Sequence, residues 1–490
     1  QEEKRTGWRD PAVRKLLNPS LFAGRPPSVV YHNDWATGVP SFDESPLHEE
    51  LAAAKRAQEE AEGAATEEGE APAPPPAKPA KLRRPLSAKP AGDRPRSTQL
   101  WNYHKRLLTF KVGYKTTMVR KSHWCAGITE TRGSNANSYW GMAFPRSSYA
   151  RVKPFQRVNH FPGTFSLGRK DRLVRGVQKM RRRLQSMTDS DTGERLSKQV
   201  DFMPETYMLP KEYSAFKAAF KAGSGAWIWK PNACARGIGI RLITKLDQIP
   251  RKKDTDEVKQ GQVQKYIANP LLLNGAKCDL RIYVVATCYN PLRLYIYPEG
   301  LVRISTKKYN AKSAKKGSSQ RARFMHLTNY SVNKHSRSFV PNQSADEQNV
   351  GNKWSLTALW QHLRERGLSE HDVATVWTRI GAVVRKAFIA ADGTINNFLW
   401  SCCPYPNNCY ELFGVDILLD ANLKPWLLEV NTSPDTSPSS PMDKRIKSSM
   451  LTSLFTMLRF SVVDKKAALK AAEEEGDVRA QQVSRRKLAG

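Results

Sequence analysis

Between Trp101 and Phe460 the hydrophobic residues fall into short runs with two different periods. Segments 226–230 (Ala-Trp-Ile-Trp-Lys), 237–244, 279–288, 292–297 and 301–305 read as strands. Segment 354–390 instead carries Leu356, Leu359, Trp360 and Leu363 at helical spacing and reads as two helices. Segments 411–420 and 424–431 form a predicted β-hairpin, and about 443–460 a basic helix before a charged tail. Upstream, Ser28-Val-Val-Tyr31 is one further candidate strand. Strands and helices mix without strict alternation or internal repeat, which makes the class α+β.

From about Pro46 to Arg96 this patterning stops. Ala, Glu, Pro and Lys dominate, with the run Ala71-Pro-Ala-Pro-Pro-Pro-Ala77. Such a segment has too little apolar surface to offset its ordering entropy, so it is expected to be disordered or partly helical. A second boundary is expected near 221–225.

Composition narrows the partners. The 490 residues suit two to four domains or one large multi-lobed unit, and 40% hydrophobic residues suffice for a sizeable core. A net charge of +33 repels itself in a compact chain and implies an acidic partner: nucleic acid, anionic membrane or an acidic protein tail. Cys125, Cys234, Cys278, Cys288, Cys402, Cys403 and Cys409 are odd in number and make no CxxC pair, which argues against a disulfide scaffold or a zinc site and for a reducing compartment. No signal peptide is read, and no apolar run approaches the roughly 18–20 residues of a membrane span. The start at Gln1 rather than Met leaves room for a targeting segment ahead of it.

The hairpin carries the most specific chemistry. Opposed residues of an antiparallel pair have position numbers of constant sum. A turn at 420–424 centred near 422–423 opposes Asp416 to Glu429 and Gly414 to Asn431, so Asp416, Glu429 and Asn431 share one face. Two opposed carboxylates repel and need a compensating cation; an oxygen-only set on a rigid sheet suits Mg²⁺ completed by water and nucleotide phosphates. A solvated hairpin face is the alternative. Lys230-Pro-Asn-Ala-Cys-Ala-Arg236-Gly-Ile-Gly-Ile240 is a strand, then a loop with two glycines through which backbone N–H groups reach phosphate; it matches neither a Walker loop nor a complete GxGxxG, and an ordinary turn also explains it. Lys277, Asp279 and Arg281 alternate with Cys278, Leu280 and Ile282 and share one sheet face, which taken alone a solvent-exposed face explains equally well. Gln264-Lys265-Tyr266-Ile267 is an extended stretch able to meet an adenine edge. His326, Thr328, Asn329, Tyr330 and Ser331 gather hydroxyls and an amide, with neither a catalytic triad nor a second histidine beside them.

Taken in order, these motifs resemble the tubulin tyrosine ligase-like family. The matching stretches are 159–163, 168–171, 227–231, 236–240, 277–284, 326–331, 413–416 and 427–434, with earlier fragments at 18–22 and 26–31. Ser134-Asn-Ala-Asn137, His160-Phe-Pro-Gly163 and Gly168-Arg-Lys-Asp-Arg-Leu173 resemble the tubulin polyglutamylase branch in particular. The resemblance implies an ATP-grasp fold with N-terminal, central and C-terminal lobes plus the basic C-terminal helix. It divides the chain into 1–45 (an extension with one core strand), 46–100 (a disordered insertion), 101–222 (N-terminal and central lobes), 223–460 (the ATP-grasp catalytic region with the helix) and 461–490 (the tail).

The resemblance also implies roles. Lys230, Arg236, Gly237, Gln264, Lys265, Tyr266, Ile267, Lys277, Asp279, Thr328 and Asn329 would bind ATP. Asp416, Glu429 and Asn431 would hold Mg²⁺. Arg303, Tyr330, Ser331, Lys353 and Thr432 would meet the substrate amino acid or acceptor, and Arg281 and Arg303, with Glu429, would serve the transferring phosphoryl group. Ser433-Pro-Asp435 departs from the usual Ser-Pro-Ser. Thr432 stands where chain-elongating members often carry histidine, which favours addition of a first, branch-point glutamate. Trp229 and Cys234 also depart.

The implied reaction is ATP-dependent addition of free L-glutamate to glutamate side chains in acidic tubulin tails through an acylphosphate. The expected enzyme is a monomer of the cytoplasm and cytoskeleton, with cilium, axoneme or basal body as further locations, binding neither nucleic acid nor membrane. Lys179 to Arg183 and Lys444-Arg-Ile-Lys447 are candidate docking patches. The alternatives are a tubulin glycine ligase and a microtubule-binding structural protein without catalysis.

Overall fold

The computed structural model describes residues 108–114, 116–126, 128–189, 194–232, 237–310, 320–461 and 463–474, together with the short strands at 32–34 and 39–41. The expected strand at 28–31, the 46–100 insertion, Cys234 and Arg236 lie outside the described residues.

In chain order the first elements are β1 (His32–Asp34), β2 (Val39–Ser41), β3 (Thr109–Val112), α1 (Thr117–Cys125), β4 (Thr129–Glu130), β5 (Ser138–Trp140), α2 (Arg146–Tyr149), β6 (Arg157–Val158), α3 (Phe165–Gly168) and α4 (Lys170–Arg183). Then come β7 (Thr206–Leu209), α5 (Tyr213–Ala222), β8 (Trp227–Pro231), β9 (Arg241–Ile243) and β10 (Gly261–Lys265). The remainder is β11 (Leu272–Leu273), β12 (Ala276–Tyr289), β13 (Leu292–Lys308), α6 (Gln320–His326), α7 (Tyr330–Asn333), β14 (Lys353–Ser355), α8 (Leu356–Glu365), α9 (Glu370–Cys402), β15 (Glu411–Leu419), β16 (Pro425–Asn431) and α10 (Pro441–Leu458). The mixture of helices and separate sheets agrees with the α+β expectation.

The largest sheet is antiparallel in the order β14-β13-β12-β15-β16, with β11 beside the start of β12. Side chains of its strands alternate between the two faces, and that alternation creates the site. On β12, Cys278, Leu280, Ile282, Val284 and Ala286 enter a core shared with α4 and α9. On the opposite face, Tyr283 and Val285 enter a second core with α1 and α10. Toward the start of the strand that same face turns from apolar to charged, with Lys277, Asp279 and Arg281. β15 repeats the change, with Leu412 in the second core and Asp416 farther along. α10 therefore covers one end of this face, and a cleft opens over the other.

A second antiparallel sheet, β7-β10-β8-β9, lies across that cleft. Trp227, Trp229 and Val263 pack with Phe216 of α5 in a third core. The alternate residues Ile228, Lys230 and Gln264 line the cleft. A short parallel sheet, β4-β3-β5-β6, completes the described strands apart from the β1–β2 pair.

Three features differ from the sequence expectation. The two strands expected at 292–297 and 301–305 are one, β13, which carries Pro298 to Gly300 through a register shift against β12. α9 runs to Cys402, capped at its start by a reciprocal Ser369–Asp372 box. The C-terminal helix forms where expected, but it is a core helix: Met442, Ile446, Met450, Leu451, Leu454 and Phe455 are buried. Lys447 is buried too, 3.1 Å from Asp443, and Arg445 reaches Asp346 at 3.1 Å. The docking patch expected at 444–447 is corrected accordingly: a charged group enters a core only when paired, and Lys447 is turned inward to its pair.

Candidate functional site: a cationic cleft between two sheets

The cleft has a volume of about 810 Å³, counting its mouth. Five basic side chains come from four elements: Lys170 from α4, Lys230 from β8, Lys277 and Arg281 from β12, and Arg303 from β13. Three carboxylates answer them. Arg303 Nε donates to Asp279 Oδ1 at 2.8 Å, and its Nη2 donates to Asp416 Oδ2 at 2.8 Å. Arg281 Nε donates to Asp416 Oδ1 at 2.6 Å. Lys170 Nζ lies 2.8 Å from Glu429 Oε2. This group carries two more positive than negative charges, which a bound polyanion would neutralise.

The two remaining lysines sit on neutral partners. Lys230 Nζ donates to Gln264 Oε1 at 2.6 Å, and Gln264 Nε2 donates to Thr206 Oγ1 at 3.0 Å. Lys277 Nζ donates to the Tyr266 hydroxyl at 3.1 Å, which in turn lies 2.9 Å from His326 Nδ1. Burial pushes both lysines down to about 8; the carboxylates nearby oppose that push. Burial and then Lys277 lower His326 to about 4, so its imidazole is neutral at pH 7. Burial favours the neutral form of Asp416, but Arg281 and Arg303 outweigh it and hold the carboxyl below the usual range.

The hairpin register is the expected one at the site. Gly414 pairs with Asn431, Val415 with Val430 and Asp416 with Glu429, and Asn431 Nδ2 lies 3.4 Å from Glu429 Oε1. Beyond it the register shifts, because Ile417 pairs with Leu427 and Leu428 is left as the extra residue of a β-bulge. Leu427 and Val430 then both enter the core while Leu428 and Glu429 both line the cleft.

The donor set fits a hard divalent ion. Among the described residues no three His, Cys, Asp or Glu side chains cluster to hold a metal alone. Asp416, Glu429 and the Asn431 amide instead offer a few oxygens on one face, as Mg²⁺ takes when phosphates and water complete its shell.

The structure gathers most of the residues expected from sequence. Lys230, Gly237, Gln264, Lys265, Tyr266, Ile267, Lys277, Asp279, Arg303, Thr328, Asn329, Asp416 and Glu429 line the cleft. Lys265 turns its ammonium away to the Ser224 carbonyl, at 2.9 Å. Gly237 has φ of +73°, and a Cβ there would lie 3.0 Å from Asn329 Oδ1, so the glycine loop closes directly onto that amide. Arg281 lies behind Asp416 and orients it. Five others are not brought into the lining, Asn431 among them. Lys353 is buried and bonded to Ser439 and Asp443, with its ammonium 4.7 Å over the Tyr330 ring. Tyr330 is partly exposed, Ser331 follows it on α7, and Thr432 packs against Gly168.

Sequence reasoning missed Lys170, Ile228, Ile240, Leu418 and Leu428 as lining residues, and gave His326 no role in the site. Lys170 falls within the 168–171 stretch already singled out, but no spacing there announces its pairing with Glu429 some 260 positions later.

The fold and site define a two-sheet clamp around a cationic cleft with an opposed carboxylate pair, suited to a polyanion carrying a divalent ion. The chain belongs to the tubulin-tyrosine ligase family, whose model matches residues 148–468. It is 40% identical over 362 residues to human tubulin monoglutamylase TTLL4, covering 73% of this chain and 28% of that protein. It is 37% identical over 323 residues to human tubulin polyglutamylase TTLL5, covering 64% and 23%. A probable beta-tubulin polyglutamylase of Tetrahymena thermophila is 39% identical over 303 residues, covering 61% and 23%. The chain thus spans about a quarter of the length of these relatives.

Proposed function

We propose that this chain is an ATP-dependent carboxylate–amine ligase that adds free glutamate to glutamate side chains in acidic tubulin C-terminal tails, favouring the first, branch-point residue. The observation that carries the reading is the opposed Asp416–Glu429 pair in the lining of a cationic cleft. The names of the monoglutamylase and polyglutamylase relatives support the substrate and the choice of glutamate.

The two sheets act as the jaws of an ATP-grasp clamp. Lys230 and Lys277 neutralise phosphate oxygens, and the 264–267 edge with Thr328 and Asn329 holds the nucleoside. Asp416, Glu429 and Asn431 are the residues that would hold Mg²⁺, which when bound neutralises charge on the transferring phosphoryl group. A carboxylate is a poor electrophile, so the acceptor carboxylate takes the γ-phosphoryl group of ATP and ADP leaves; the glutamate amine then attacks the acylphosphate, loses a proton and displaces phosphate. Arg303, fixed by its bonds to Asp279 and Asp416, faces the charge that develops. These assignments make the protein a cytoskeletal enzyme.

The test is mass spectrometry of tubulin-tail peptides after incubation with ATP, Mg²⁺ and mixed amino acids. Glutamate adducts on internal glutamate side chains are expected, and Glu429→Gln should abolish them while the protein stays folded. Glycine adducts, or near-normal turnover of the Glu429→Gln protein, would overturn the reading.

A further inference from the structure

A second concavity, of about 1450 Å³, lies between α4 and α9. One wall is a basic stripe. Arg172, Arg175, Lys179 and Arg183 follow each other at steps of three and four residues on one face of α4, while Leu173, Val174 and Val177 turn into the core. Four like charges at that spacing repel one another, and among the described residues none of the four has an ion pair. The other wall is uncharged: α9 supplies Ile389, Ala390, Gly393, Thr394 and Asn397, and no carboxylate lines either side. Gly176 lets the helices approach, since a Cβ there would meet the Ala390 carbonyl at 3.0 Å. Gly393 borders open space, with nothing within 4 Å of the point where a Cβ would stand.

We propose that this trough docks an extended peptide rich in Asp and Glu, at a distance from the cleft that sets where along an acidic tail the reaction occurs. The second clause rests on the ligase reading; the first does not. Charge complementarity selects the occupant: the stripe is cationic throughout, unpaired and walled by small neutral residues that admit a backbone. Stacking aromatics that would hold single-stranded nucleic acid are missing from the described lining, and a trough between two helices does not fit a flat anionic membrane.

The distance follows from helix geometry. Lys170, the first residue of α4, lines the cleft, whereas Lys179 and Arg183 lie nine and thirteen residues along the same helix. At 1.5 Å per residue that is roughly 14–20 Å, which an extended peptide spans in about four to six residues. Acidic residues at that separation from the acceptor glutamate should be gripped while it is in the cleft.

The test measures binding of a short fluorescein-labelled peptide of alternating Glu and Gly by fluorescence anisotropy, without ATP. The triple variant R172E/R175E/K179E should weaken binding about tenfold or more. Gly393→Glu, which adds a carboxylate from the opposite wall into open space, should also weaken it, guarding against a folding defect in the triple variant. Reversal of the exposed Lys217 and Lys221 on α5 should leave it unchanged. Unchanged binding in both groove variants, an equal loss in the α5 variant, or tighter groove-dependent binding of an oligo-dT strand or phosphatidylserine vesicle would overturn the proposal. In a ligation assay, KM should be lowest when the acidic cluster lies about five residues from the acceptor, compared with adjacent or about a dozen away. Groove-dependent binding with no glutamate incorporation by any protein would sink the ligase reading and leave the docking groove standing. Incorporation with the same KM in wild type and both groove variants would sink the groove alone.

Discussion

At pH 7 the ammonium of Lys277 occupies a position that burial makes unfavourable for charge. Its neighbours are the Tyr266 hydroxyl and ring, with Asp279 farther off, and its ordinary value of 10.5 falls to about 8. The sign for stability follows. Between about 8 and about 10.4 the unfolded chain holds a proton on this lysine that the folded chain has released, so stability rises with pH in that window. Below about 8 both states are charged and the full penalty remains. Lys277→Met should therefore stabilise the empty protein at pH 7, by an amount of the order of 3 kcal/mol at most, visible as a higher melting temperature. Nucleotide binding has the opposite dependence, because the phosphates need the charged form. Affinity for a fluorescent ATP analogue should fall as pH rises through about 8, and Lys277→Met should make that fall shallower, leaving the part due to Lys230, while removing most of the binding. An affinity flat from about pH 7 to about pH 9.5 would mean that Lys277 is not a phosphate ligand.

Individual strands of the central sheet serve two purposes along one length. β15 begins at Glu411, fully buried, whose Oε1 lies 2.7 Å from His160 Nδ1 and whose Oε2 accepts from the Phe161 N–H at 3.1 Å. That end ties the 159–163 loop to the sheet, and Asp416 lies five residues on, roughly 17 Å away. Glu411→Ala removes one member of a buried pair and should destabilise the protein by about 3–5 kcal/mol, read as a lower urea midpoint. The folded fraction should keep its nucleotide affinity, because the cleft lies at the other end of the strand; a large loss there would show that the loop and the cleft are coupled. The same strands show what a sequence can disclose. The pairing of Asp416 with Glu429 follows from a constant sum because hairpin register is local, set by one turn. The bulge at Leu428 is not local: it is set by the need of Leu427 and Val430 to reach one core, and only the assembled sheet imposes that. The parallel strands β3 to β6 are two to four residues long, too short for a period to show. Lys170 was hidden for a related reason, since its partner Glu429 comes from the far end of the sequence.

On the scale of the whole molecule the excess of +33 has two separable consequences. The cations of the cleft are buried and held by fixed partners, so mobile ions screen them little; those of α4 stand in solvent and act over about a Debye length, near 8 Å at physiological ionic strength. Raising salt should accordingly weaken association with microtubules steeply while turnover at saturating acceptor changes little, because long-range charge governs encounter more than chemistry. Removing the acidic tails by limited proteolysis should weaken binding as high salt does. The interior position of Lys447 alters which substitutions are informative: reversing it would test folding, since it would place a second carboxylate against Asp443. Reversal of Arg172, Arg175 and Lys179 is the informative change, and it divides the effect in two. If docking is concentrated in the α4 trough, the triple variant should lose most of the salt dependence of binding along with the affinity. If the excess acts diffusely, the variant should bind more weakly but keep nearly the same slope against log salt, with the remaining cations still attracting the tail. Binding that persists through tail removal, high salt and the triple reversal together would require an uncharged interface, and attraction of an acidic tail would then not be what the excess charge supplies.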